Sequence, residues 1–126
     1  MEEMKVKIPQ DIRERTFKFA LDIVRLCRGL DEKPGMGRTL AKQLLRSGTS
    51  IGANVEEGQA GQSRADFANK YAIALKEARE TIYWLRLLNE SGECGEFKSE
   101  KLEREANEIA KVLGAIIVNT KKSSKR

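Results

Sequence analysis

The chain has 126 residues, enough for one ordinary domain to bury a core without disulfides or metals, and 24 Lys and Arg against 19 Asp and Glu give it a formal charge of +5. It contains no histidine, so Ser-His-Asp triads, HExxH zinc sites and most other metal centres are excluded together, and a protein that is not an enzyme and holds no cofactor is expected. Only two prolines and 34% charged residues, with Ala, Leu, Glu, Lys and Arg abundant, describe long helices rather than sheets. Cys27 and Cys94 have no metal-ligand spacing and read as free thiols of a reducing cytoplasm. No stretch approaches the roughly 18 apolar residues of a membrane span, and Met1 to Lys5 holds no signal-peptide core, so a cytoplasmic protein without membrane contact is expected.

Four segments carry helical spacing, and residues 1–126 read as a single unit with no internal repeat. The first covers about 11–30, with Asp11 as cap and Ile12, Thr16, Phe19, Ala20, Ile23, Leu26, Cys27 and Leu30 on its apolar side. Pro34 and Gly35 break the chain before a second segment, about 37–58, whose stripe is Leu40, Leu44, Ile51 and Val55. Ser63 and Asp66 resemble a capping box at the start of a third, about 63–90, with Phe67, Tyr71, Ala74, Leu75, Ala78, Ile82 and Leu85 in register. Ser99 is the expected cap of a fourth, about 99–121, carrying Leu102, Ala106, Ile109, Ala110, Leu113, Ile116 and Ile117, before a basic tail over 121–126. Such helices hide their stripes most simply in an all-α, antiparallel up-and-down four-helix bundle.

Apolar side chains remain outside these stripes. At 100° per residue, Phe17, Leu21 and Val24 lie away from the core line of the first helix, and Ile73, Tyr83, Trp84 and Leu87 away from that of the third. Grouped exposed residues of this kind mark an interface, and a second copy of a small chain is the simplest occupant, so a cyclic homo-oligomer is expected. Ser47, Asn54 and Gly58 fall on or beside the core line of the second helix, while Lys70, Glu77 and Thr81 border that of the third. A buried hydroxyl or amide needs a partner, so a polar seam is expected here, with Asn54 and Glu77 as its main members and Ser47 beside them. Gly48 and Gly52, four apart, either admit a neighbouring backbone or bend the helix.

The anionic partner that a basic chain suggests would be met by Arg38, Lys42 and Arg46, spaced four apart with no acid between Met36 and Val55. They read as an uncompensated stripe. Lys121, Lys122, Lys125 and Arg126 add a terminal cluster able to touch phosphates without reading sequence. The stripe has no interleaved aromatic residue, so contact with the RNA or DNA backbone is expected rather than base stacking. A protein-interaction scaffold that docks a partner on Tyr83, Trp84 and Leu87 is the alternative.

The run Arg46-Ser-Gly-Thr-Ser-Ile-Gly-Ala-Asn-Val-Glu-Glu-Gly58, followed by Ser63-Arg-Ala-Asp-Phe67 and Ala74-Leu-Lys-Glu77, resembles the bacterial four-helix bundle family of 23S ribosomal RNA intervening-sequence proteins. The shared pattern is matched by Ser50, Ile51, Asn54, Val55, Glu57 and Gly58, with Gly48 where Ala is common and Val55 where Ile is common. This resemblance implies an up-and-down bundle that assembles as a homopentamer. A similar protein, the accessory variability determinant of diversity-generating retroelements, implies nucleic acid and a reverse transcriptase or another nucleic-acid enzyme as partners. It brings no catalytic residues.

Overall fold

The computed structural model describes residues 12–61, 63–95, 97 and 99–124. Its four helices are α1 (Ile12–Leu30), α2 (Met36–Gln59), α3 (Arg64–Ser91) and α4 (Glu100–Ser124). The apolar spacing dictates what each buries: α1 turns Ile12, Thr16, Phe19, Ile23, Leu26, Cys27 and Leu30 inward, and α3 turns in Tyr71, Ala74, Ala78, Thr81, Leu85 and Leu88. Leu40, Phe67, Leu75, Ile82, Leu102 and Ala110 lie at the rim of this core, partly buried. Phe67 and Tyr71 stack with ring centroids 4.2 Å apart.

Local signals set the helix ends. The Ser63 hydroxyl accepts from the Asp66 amide at 3.1 Å, satisfying one of the orphan N–H groups at the start of α3. Gly92, with φ of 80°, ends that helix in a left-handed turn. Asp11, the expected cap of α1, is outside the described residues. Ser99 does not serve as the expected side-chain cap: its buried hydroxyl donates to Asn89 Oδ1 of α3. Asn89 Nδ2 in turn donates to Glu103 Oε1 at 2.8 Å, so one side chain of α3 holds the first turn of α4. The expected tail beyond 121 is also corrected in part. Helix α4 continues to Ser124, with Lys121 and Lys122 in its last turn, where cations meet the negative end of the helix dipole.

Each helix lies beside the next in the chain, α1 on α2, α2 on α3 and α3 on α4, while α1 meets α4 along the thinnest of the four seams. The backbones of the diagonal pairs do not come close among the described residues. The antiparallel sense is visible at the α1–α2 seam, where advancing along α2 from Gly48 to Gly52 moves the contact back along α1 from Ile23 to Thr16.

These glycines make the approach possible. A Cβ on Gly52 would sit 3.3 Å from the Thr16 carbonyl oxygen, and one on Gly48 would sit 3.0 Å from two carbons of the Ile23 side chain. Of the two roles open to them, close approach is the one adopted. Gly58 does the same toward α3, where a Cβ would come within 2.9 Å of the Tyr71 ring. Gly114 on α4 is different, since nothing lies within 4 Å of the position its Cβ would take. Gly52→Leu therefore overfills the α1–α2 seam and lowers stability by about 1–3 kcal/mol, whereas Gly114→Ala raises it by up to about 1 kcal/mol through helix propensity alone. Urea unfolding of both variants checks this pair of opposite signs.

Candidate nucleic-acid interface and polar seam

The expected basic stripe on α2 is present in position but not in charge. Arg38 donates to the Asp31 carbonyl through Nη2 (2.7 Å) and Nε (3.1 Å), with the Asp31 carboxylate 3.3 Å away. Arg46 pairs with Glu77 at 3.4 Å and with Glu80, both on α3. Lys42 alone of the three is exposed without an ion pair among the described residues. The stripe is thus compensated, by acids that come from the preceding turn and the neighbouring helix rather than from α2 itself. Lys121 and Lys122 are exposed on α4, and Lys125 and Arg126 are outside the described residues.

A polar seam does join α2 to α3, with a different membership. The buried hydroxyls of Ser47 and Thr81 hydrogen-bond across the helices at 2.9 Å, and Thr81 Oγ1 lies 2.7 Å from the Glu77 carbonyl of its own helix. Asn54 does not reach Glu77: its amide donates to the Ser50 carbonyl one turn back, at 2.9 Å. Glu77 is instead mostly buried beneath Arg46. A short hydroxyl pair suits a close helix contact better than two longer side chains. Among the described residues, no buried side-chain nitrogen or oxygen is left without a partner.

The two carboxylates near the end of α2 are separately neutralised. Glu56 takes the two-pronged guanidinium of Arg13 at 2.9 and 3.3 Å, and Glu57 meets Lys70 at 2.8 Å. No group of three or more Asp, Glu or Cys side chains among the described residues could hold a metal ion. Burial pushes the Cys27 thiol up to about 12 and raises Cys94 as well, so both are poor nucleophiles at neutral pH.

Of the apolar residues set aside from the core, four are exposed and three are not fully so, and Trp84 packs against the core. Phe17 and Tyr83 are 63% and 58% exposed, Leu21 and Leu87 more than a third, while Val24, Ile73 and Trp84 are half-buried. The register of α2 against α1 adds Leu45, also exposed, beside the Val24 level. The molecule therefore carries two unlike apolar patches, one on the outer side of α1 and α2 and one on α3. On the second, Tyr83 meets Trp84 edge to face, and the indole N–H donates to Glu80 at 2.9 Å. Trp84 and then Arg46 hold the Glu80 carboxyl below the ordinary carboxylate range. One feature had no periodic signal in the sequence: a groove of about 840 Å³ between α1 and α4, lined by charged side chains over a partly aromatic floor.

An antiparallel four-helix bundle with these features falls in a known class. The family model described as 23S rRNA-intervening sequence protein matches residues 9–115, and the chain belongs to that family. It is also similar to the crystal structure of a protein of unknown function from the S23 ribosomal protein family, from Bacteroides thetaiotaomicron VPI-5482. The two share 45% identity and a TM-score of 0.77, covering 84% of this chain and 97% of that one. No curated protein gives a match. Among the described residues no helix is long and apolar enough to cross a membrane.

Two outcomes test the seam. Ser47→Ala and Thr81→Val each lower stability by about 1 kcal/mol, and the double variant costs less than their sum by about 0.5 kcal/mol or more, as read from denaturant midpoints. Because Glu80 titrates below its ordinary value of 4.5 in the folded state, its contribution to stability is complete above that pH and disappears as acid protonates the folded carboxyl. Fluorescence of Trp84, the only tryptophan, should shift in that acid range, and Glu80→Gln should remove the shift.

Proposed function

We propose that this protein is a non-catalytic bundle that assembles into a cyclic homo-oligomer, a pentamer in its family's manner, and binds RNA or DNA through backbone phosphates. The observation that carries the nucleic-acid reading is the surface charge. Cations exceed acids by five over the whole chain, and Lys18, Lys42, Lys101 and Arg104 stay exposed without an ion pair among the described residues. Repeated by cyclic symmetry, such a modest excess becomes a strong field on one face of the ring. The family's name ties it to 23S ribosomal RNA, which supports RNA as the first partner to test. A nucleic-acid enzyme such as a reverse transcriptase is the kind of protein that the assembled ring would hold beside its nucleic acid, in the cytoplasm.

The two apolar patches support assembly because they differ. A patch on α1 and α2 of one copy meeting the α3 patch of the next is a head-to-tail contact, and head-to-tail contacts close into rings when the rotation permits. The alternative is a protein-interaction scaffold, favoured by one feature, the Tyr83, Trp84 and Leu87 group, whose aromatic content is that of a binding hot spot.

Phe17→Glu and Tyr83→Glu should each reduce the assembly to monomers in light scattering, yet a mixture of the two should form a dimer, since each retains the patch that the other lacks. Monomers that stay apart on mixing would exclude a head-to-tail ring. With RNA added, the assembled protein should gain mass at about 50 mM salt and lose it near 200 mM. An assembly that ignores RNA at both, but loses a partner protein on Trp84→Ala, would be the scaffold.

A further inference from the structure

The α1–α4 seam, the thinnest of the four, opens into a groove of about 840 Å³. The floor is apolar but mostly covered. Phe19 and Leu26 of α1 keep only 2% and 7% exposure, so the accessible apolar surface comes from the half-buried Leu102 and Phe97. The Phe97 ring lies over Gly29, where a Cβ would approach within 2.7 Å of it.

The walls carry both signs of charge, but their acids are already matched. Glu105 accepts two bonds from Arg15, at 2.7 and 2.9 Å; Asp22 meets Arg25 at 3.4 Å; and Glu108 meets Lys111 at 3.6 Å. Lys18 on the α1 wall and Lys101 and Arg104 on the α4 wall are exposed with no ion pair among the described residues. Three unmatched cations therefore face a cleft from both sides, above a small aromatic floor.

We propose that the α1–α4 groove binds single-stranded nucleic acid, with phosphates on Lys18, Lys101 and Arg104 and a base against Phe97. The proposal rests on the nucleic-acid reading above and relocates the contact from the compensated stripe on α2. Cations on two facing walls can follow one backbone, and a ring at the bottom offers a face that any unpaired base can cover. In a duplex the bases are stacked inside and cannot reach that floor. An amphipathic helix from a partner protein needs several apolar anchors along its length, and two half-buried side chains supply too little.

The test is fluorescence anisotropy of a labelled short oligo(U) strand with the full chain, at about 50 to 200 mM salt. The triple variant K18E/K101E/R104E should weaken binding by about tenfold or more and flatten the salt dependence by about two to three released counterions. The charge-matched control R64E/K76E/R79E changes exposed cations of α3 away from the groove and should retain most of the affinity; circular dichroism confirms that both stay helical. Unlabelled single strand should compete better than duplex of equal phosphate content, and poly-L-glutamate should compete poorly. Equal weakening in the two triple variants overturns the groove while leaving the general reading intact. A wild-type chain that binds no nucleic acid at any salt overturns both. Duplex competing as well as single strand removes the base contact, and poly-L-glutamate competing as well as RNA makes the groove a site for acidic polypeptide.

Discussion

The bundle depends on how closely α1 can lie against α2. Gly52 places no atom where a side chain would press on the Thr16 carbonyl, and Gly48 leaves its space to Ile23. Neither residue favours a helix in isolation, each costing nearly 1 kcal/mol relative to Ala, so the contact they permit must return more than that in buried surface. The same helix grips α3 on its other side through the Ser47 and Thr81 hydroxyls and through Gly58 beneath Tyr71. Helix α2 is therefore the element on which both neighbours are seated. Helix α4 is attached chiefly to α3, at one end through Asn89, and its looser seam with α1 is where the groove opens.

This arrangement explains which features were legible in the sequence. Apolar spacing carries the helices and most of the core, because burial of Ile23, Ile51, Leu85 or Leu113 follows from position on a helix alone. The small-residue run from Ser47 to Gly58 marked a special segment but left close approach and bending both open, and only the packing decides between them. Partners across helices were harder to read. Asn54 and Glu77 both border the correct seam, yet the pairing turns on side-chain reach, and the shorter Ser47 and Thr81 fit the gap. The stripe of Arg38, Lys42 and Arg46 looked unopposed because its acids, Asp31, Glu77 and Glu80, belong to other elements. The groove had no sequence signature at all, since it is a space between the first and last helices, set by how α2 and α3 hold them apart.

The electrostatic picture changes accordingly. A net positive chain does not present its charge evenly: Arg46 fastens α2 to α3 and Arg15 fastens α1 to α4, while three cations on the walls of the α1–α4 cleft have no ion pair among the described residues. The apolar residues divide in a similar way. Those inside hold the bundle, and Phe17, Leu21 and Tyr83, which contribute little to it, remain available for contact between molecules. Assembly and phosphate contact are thus assigned mainly to exposed residues, so surface variants such as those at Phe17, Tyr83 and Lys101 can test them without unfolding the bundle.

Native-state hydrogen exchange, followed residue by residue, tests the central role of α2 most directly. Amides of α2 from Leu44 to Val55, with the facing turns of α1 from Thr16 to Ile23, should exchange only on global unfolding, while α4 opens at lower free energy. If α4 is protected as long as α2, or if the α1–α2 seam opens first, the bundle is not organised around the glycine contact.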